Sequence, residues 1–150
     1  MPKEKYDFAG WVTKNDTRCS DGVVIKHGAF KDNDQKTVPL VWNHNHSEPT
    51  NVLGHVMLHN DEKGVYGYGY FNETDEAKHA KELIKHGDIS AMSIGANRIK
   101  KQGQNVIHGM IYEVSLVLRG ANPGALIETV MAHSDDSVET DKAIIYTGNL

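Results

Sequence analysis

Two histidines, one residue apart, close an apolar run in this chain: Val38-Pro39-Leu40-Val41-Trp42-Asn43-His44-Asn45-His46. On an extended chain His44 and His46 point one way, and Asn43 and Asn45 the other. The rigid end of a strand is a good mount for a general base, and imidazole titrates in the range that role needs. Other readings stand beside this one. An arbitrary His-x-His is commonly a pair of surface histidines in a polar loop. His55 and His59 follow nearby and open a metal reading. Zinc sites usually add a well-placed carboxylate or thiolate, and none is evident at tight spacing here.

A second stretch, Asp88-Ile89-Ser90-Ala91-Met92-Ser93-Ile94-Gly95-Ala96, offers a nucleophile. Ser93 shares its strand face with Ala91 and Gly95, small flanks that leave room for a substrate carbonyl at the hydroxyl. The competing fate is a buried serine bonded to a neighbouring carbonyl. The stretch lacks the Gly-x-Ser-x-Gly form, so an α/β-hydrolase elbow is not supported.

A third stretch runs from Met110 to Pro123. Period two puts Tyr112, Val114, Leu116 and Leu118 on one face, which should pack into the core. Ile111, Glu113, Ser115, Val117 and Arg119 take the other face. Glu113 is thus a carboxylate in an apolar strand, costly to bury alone. It needs a histidine or a cation, Arg119 among the candidates, or a place at a rim. His108 lies on the same strand with the parity of Tyr112, so an unbroken strand turns it away from Glu113. A β-bulge near Gly109 would reverse that parity.

These residues need elements to hold them. Seven strand-like runs are expected: Tyr6 to Thr13, Val23 to Phe30, Val38 to Trp42, Val52 to Leu58, Gly64 to Phe71, Ile89 to Ile99 and Val106 to Arg119. Turn residues separate most of them. Val65 to Phe71 alternates glycine and tyrosine, which suits a strongly curved sheet or a close backbone approach. A first helix is expected over Asp75 to His86, capped by Thr74 or Asn72 and ended by Gly87. Asn122-Pro123 announces a second helix carrying Leu126, Ile127, Val130 and Met131. Curved antiparallel strands plus two helices predict a mainly β, α+β fold: a closed or partly closed barrel with helices packed around it.

The 150 residues fit one domain with a real core. We expect that domain over 1–132 and a polar acidic linker or tail over 133–150, with Ala143-Ile144-Ile145-Tyr146 as a short terminal strand. The run His133 to Asp141 is expected to be mobile. No run approaches the ~20 apolar residues of a membrane span, and no signal-peptide core follows Met1. A net charge of −4 gives no pull toward nucleic acid. The single cysteine, Cys19, sits in a polar turn with no thiolate-activating partner beside it and reads as a bystander.

Each piece alone is weak, but their order and wording resemble the prohead (capsid maturation) protease family of tailed phages. The resemblance rests on Trp42-x-His44, Ser93-Ile94-Gly95, Glu113-Val114-Ser115-Leu116-Val117 and Ala121-Asn122-Pro123-x-Ala125. Phe8-Ala9-Gly10 and Val24-Ile25-x-x-Gly28-Ala29-Phe30 match that family's opening strands, and the likeness runs from about Tyr6 to Val130. Departures are Asn45 where the family often has aspartate, Ala96 where it often has an aromatic, and Leu118-Arg119-Gly120 in place of a proline-containing turn.

The resemblance implies a fold like the herpesvirus assemblin proteases, an antiparallel barrel ringed by helices. It implies a cofactor-free serine endopeptidase, with Ser93 as nucleophile, His44 as base and Glu113 as third member. His108 is the alternative third member, because assemblins use a second histidine. Arg119 and Gly120 are the oxyanion candidates, since glycine permits unusual backbone. Implied substrates are scaffold protein or a scaffold-like extension of the major capsid protein, inside the immature prohead in the host cytoplasm. A homodimer is compatible with this reading; nucleic acid and membrane are not expected partners. The rivals are a non-catalytic assembly module of the same fold and a metal-dependent hydrolase built on His44, His46, His55 and His59.

Overall fold

Alternating and β-branched runs build nine strands among the residues that the computed structural model describes, 5–133 and 143–147. They are β1 (Phe8–Lys14), β2 (Val24–Ile25), β3 (Thr37–Trp42), β4 (Val52–Asn60), β5 (Gly64–Phe71), β6 (Ala91–Gln102), β7 (Asn105–Val117), β8 (Ile127–His133) and β9 (Ala143–Thr147). One α-helix, α1 (Asp75–His86), links β5 to β6. Its bounds are those expected from sequence. The Thr74 hydroxyl accepts from Ala77 N–H at 3.2 Å, and Gly87 ends the helix at φ 85°.

The strands form one sheet in the order β2-β7-β3-β4-β5-β1-β8-β9, with β6 along the other edge of β7. The sheet curls until the start of β6 meets the start of β8. Met92 N–H donates to Ala125 C=O, and Ile127 N–H donates to Ser90 C=O, each at 2.9 Å. The result is barrel-like, but the seam is a short bridge and not a full ladder. The sheet is also mixed: β7 runs parallel to both β2 and β3.

The interior holds Phe8, Leu40, Leu58, Met92, Leu116 and Ile127, all buried. The glycines of β5 face inward. A Cβ at Gly69 would lie 2.1 Å from the Phe8 ring, so this alternation makes room for the largest core side chain. The tyrosines face outward, as the period-two pattern requires.

Three expectations about the elements are corrected. The strand expected over Val23 to Phe30 is only β2. Its second half turns at Gly28 (φ 82°) into a 3₁₀ turn over Lys31–Asn33. The second helix does not form, and its residues make β8. The Asn122 carboxamide spends its bonds on a turn, accepting from Gly124 N–H at 2.9 Å and donating to Thr13 Oγ1 and Lys14 C=O. The open edge of β1 then takes Ile127, Thr129 and Val130 as strand partners. The helical spacing of Leu126, Ile127, Val130 and Met131 loses to that edge, and β-branched residues suit the strand. The third correction concerns β7 and belongs with the site. Towards the C-terminus β9 pairs with β8, while the run expected to be mobile, His133 to Asp141, lies outside the described residues beyond His133.

The buried Asn33 side chain acts as a surrogate strand partner for β7. It donates to Ile111 C=O at 3.0 Å and accepts from Ile111 N–H at 2.8 Å, two residues before Glu113. Asn33→Ala leaves both groups unpaired in the interior, so we expect a stability loss of about 2–4 kcal/mol. A urea midpoint equal to that of the native protein would contradict this.

Candidate active site

Strand β7 is the spine of the site. On one side β6 places Ser93 opposite Ser115 and Gly95 opposite Glu113. On the other, β3 places Val41 opposite Ser115 and Trp42 opposite Leu116. Cross-strand partners share a face, so Ser93, Ser115 and Glu113 emerge together.

The register jumps from Gly95–Glu113 to Ala96–Ile111, which leaves Tyr112 as an extra residue in β7. This bulge overturns the simple two-residue parity. Ile111 and Val114 both pack into the core, whereas Tyr112 is 46% exposed. Leu118, also expected in the core, lies past the end of β7 and is 74% exposed. Only Val114 and Leu116 of that face are buried as expected.

His44 is not on an extended chain, as the spacing had suggested. It sits in a tight turn beyond β3, with Asn43 at φ 53° and His44 at φ 57°. Asn45 N–H closes the turn on Trp42 C=O at 2.9 Å. Asparagine and histidine enter this left-handed region more readily than most residues, which suits the local sequence to the turn. Two bonds anchor it to β7: Asn43 N–H to Leu116 C=O at 2.9 Å, and His44 N–H to Ser115 Oγ at 2.8 Å.

The turn brings three of the singled-out residues together. His44 Nε2 lies 3.0 Å from Ser93 Oγ, and His44 Nδ1 lies 2.5 Å from Glu113 Oε2. The Glu113 side chain is 3% exposed and that of His44 40%. A buried carboxylate needs a donor. With the Nδ1–H given to Glu113, the Nε2 lone pair is left facing the serine hydroxyl. Ser115 Oγ donates to the other carboxylate oxygen, Oε1, at 2.8 Å. A Cβ at Gly95 would lie 2.4 Å from Glu113 Oε2. The bare position of Gly95 therefore makes room for the carboxylate, not for a substrate as first expected.

The remaining candidates lie as follows. His46 Nε2 is 3.6 Å from Glu113 Oε2, and its ring stands edge-on to Tyr112. His108 pairs with Lys100, five residues along β7 from Glu113, or about 17 Å at strand rise. His108 has no hydrogen bond or ion pair to His44 among the described residues. His55 stacks on Tyr70, and His59 bonds Gln35, both away from the turn on β4. Among the described residues no group of three or more His, Cys, Asp or Glu is placed to hold a metal ion. Arg119 is exposed beyond β7, and Gly120 lies against the Met92 carbonyl, one residue before Ser93.

Two features escaped the sequence reading. Ser115 joins the network; its one signal was a serine two residues after Glu113, hence on the same face. A cavity of about 140 Å³ touches Ser93 and is lined by Val12, Thr13, Cys19, Asp21, Val23, Ile25, Ile94, Ala121 and Asn122. Its walls come from separate segments, so no local pattern announced it. Burial, with the nearby Asp21 charge, pushes the Cys19 thiol up from its ordinary value and keeps it protonated.

Comparison with known proteins adds three findings. Among solved structures, a KSHV protease in complex with a hexapeptide phosphonate inhibitor is similar in fold, with a TM-score of 0.52 at 12% sequence identity. The match covers 83% of this chain and 64% of that one, so the chain spans less than two thirds of that protease's length. A search of curated proteins finds no match. The family description caudovirus prohead serine protease matches residues 3–140. Nearly the whole sequence is covered by that match, and the chain belongs to the caudovirus prohead serine protease family.

Proposed function

We propose that this chain is a serine endopeptidase in which Ser93 attacks, His44 is the base and Glu113 holds the imidazole. One observation carries the reading: His44 bridges the Ser93 hydroxyl and the Glu113 carboxylate through its two ring nitrogens. His44 Nε2 takes the Ser93 proton as Oγ bonds to the scissile carbonyl carbon. The imidazolium is stabilised by Glu113 and returns the proton to the leaving amine. Water then repeats the cycle on the acyl-enzyme. Gly120, against the Met92 carbonyl, and its chain neighbour Arg119 are the proposed oxyanion supports. The cavity beside Ser93 mixes apolar walls (Val12, Val23, Ile25, Ile94) with polar ones (Thr13, Asp21, Asn122) and suits a small side chain of the substrate.

Family membership supports the substrate class: scaffold protein, or a scaffold-like extension of the major capsid protein, cut inside the immature shell in the host cytoplasm. Self-cleavage within the polar run His133 to Asp141 belongs to the same proposal, since its acidic, polar composition is that of a linker and linkers are where proteolysis concentrates. An electrophilic peptidyl phosphonate ester tests the site. Attack by Oγ forms an O–P bond and expels the phosphonate's alcohol, leaving a mass adduct on Ser93. Labelling should be fast in the native protein, slow in His44→Ala and absent in Ser93→Ala. Chelator-sensitive cleavage by a protein that resists labelling would favour the metal reading instead.

A further inference from the structure

Glu113 is placed between two histidines, and something must decide which of them it serves. His44 Nδ1 lies 2.5 Å from Oε2, while His46 Nε2 lies 3.6 Å from the same oxygen. Both imidazoles are near half-exposed, with side-chain exposures of 40% and 48%. Ser115, by contrast, is fully buried, at 0%. Its hydroxyl accepts the His44 backbone N–H and donates to Glu113 Oε1, each at 2.8 Å.

We infer that Ser115 is the positioning residue that commits Glu113 to His44. The inference rests on the Ser93–His44–Glu113 reading above. The bonds close a ring: His44 N–H to Ser115 Oγ, Ser115 O–H to Glu113 Oε1, and His44 Nδ1–H to Glu113 Oε2. One hydroxyl supplies one donor and accepts at its lone pairs, so each Ser115 bond has its own atom or lone pair. The ring does two things. It engages Oε1, which fixes the carboxylate rotation and presents Oε2 to His44. It also holds the amide of a residue at φ 57°, a backbone state uncommon for a non-glycine residue, histidine included.

Position explains why serine stands there. Ser115 faces Ser93 across the β6–β7 ladder, so a longer side chain would enter the space of the nucleophile. Alanine at 115 leaves Oε1 buried without its donor and the His44 amide without its acceptor. His46, 3.6 Å from Oε2, is the nearest alternative donor for that carboxylate among the described residues.

The test compares Ser115→Ala, Ser115→Thr and the double variant Ser115→Ala/His46→Ala, each checked for a native-like melting transition. Peptide cleavage gives kcat and KM. Proton NMR at low field, recorded in an inactive Ser93→Ala background, reads the His44 Nδ1–H bond to Glu113 without needing turnover. We expect Ser115→Ala to keep KM and lose about 100-fold in kcat, as a misplacement of about 1 Å does. Its low-field resonance should be lost or move upfield. Ser115→Thr, which keeps the hydroxyl, should recover most of the rate. Removing His46 as well should restore part of it, because the competing donor is gone. If Ser115→Ala itself fails to fold, the low-field resonance in Ser115→Cys, with its weak donor, carries the same comparison. A native kcat and an unshifted resonance in a folded Ser115→Ala or Ser115→Cys protein overturn the inference. Cleavage that survives Ser93→Ala would instead overturn the underlying triad, a separate result.

Discussion

Ser93→Ala should fold as the native protein does and cleave about 10⁴- to 10⁶-fold more slowly, the usual loss when a triad nucleophile is removed. Folding should be spared because Ser93 is only half-buried and its described side-chain bond is to His44. The β6–β7 ladder, which continues on both sides of position 93, does not depend on the hydroxyl. His44→Ala should lose a comparable amount, because nucleophile and base act as a unit and their losses do not add. The measurement is cleavage of a scaffold-derived peptide, with circular dichroism to verify folding. Cleavage by Ser93→Ala within tenfold of native would end the serine-protease reading. Equal activity of all three proteins would point to the non-catalytic assembly module, with the peptide cut by a contaminant.

Glu113→Gln should cost about 10⁴-fold in kcat, as carboxylate-to-amide exchange at the third triad position can. The amide keeps the size of the carboxylate but donates from one end. Ser115 and His44 Nδ1 both donate to Glu113 in the present network, so one of those bonds must fail. The wrong imidazole tautomer then faces Ser93. His108→Ala should be close to native, because His108 sits some five residues along β7 and contacts Lys100's side of the hairpin. A crippled His108→Ala beside a normal Glu113→Gln would move the third role to a histidine.

Sequence by itself determined a good deal of this protein. The helix Asp75–His86 was legible because Thr74, the acidic first turn and Gly87 are local signals that act within a few residues. Most strands were legible because alternation is also local, and β5 has the bounds that its Gly-Tyr pattern predicts. Ser93, His44 and Glu113 were legible as candidates through residue type and through the wording of the motifs around them. What tertiary structure decided was everything set by a neighbour distant in sequence. The edge of β1 turned a helical spacing at 126–131 into β8. The one-residue excess of β7 over β6 made the bulge at Tyr112, and that put Tyr112 outside and Glu113 over Gly95. The left-handed turn at Asn43 and His44 is held by Leu116 and Ser115, more than 70 positions away. Period and propensity describe how a segment behaves alone; register, bulges and shared hydrogen-bond partners exist only when two segments meet, and in this chain those meetings bring imidazole, hydroxyl and carboxylate within bonding distance.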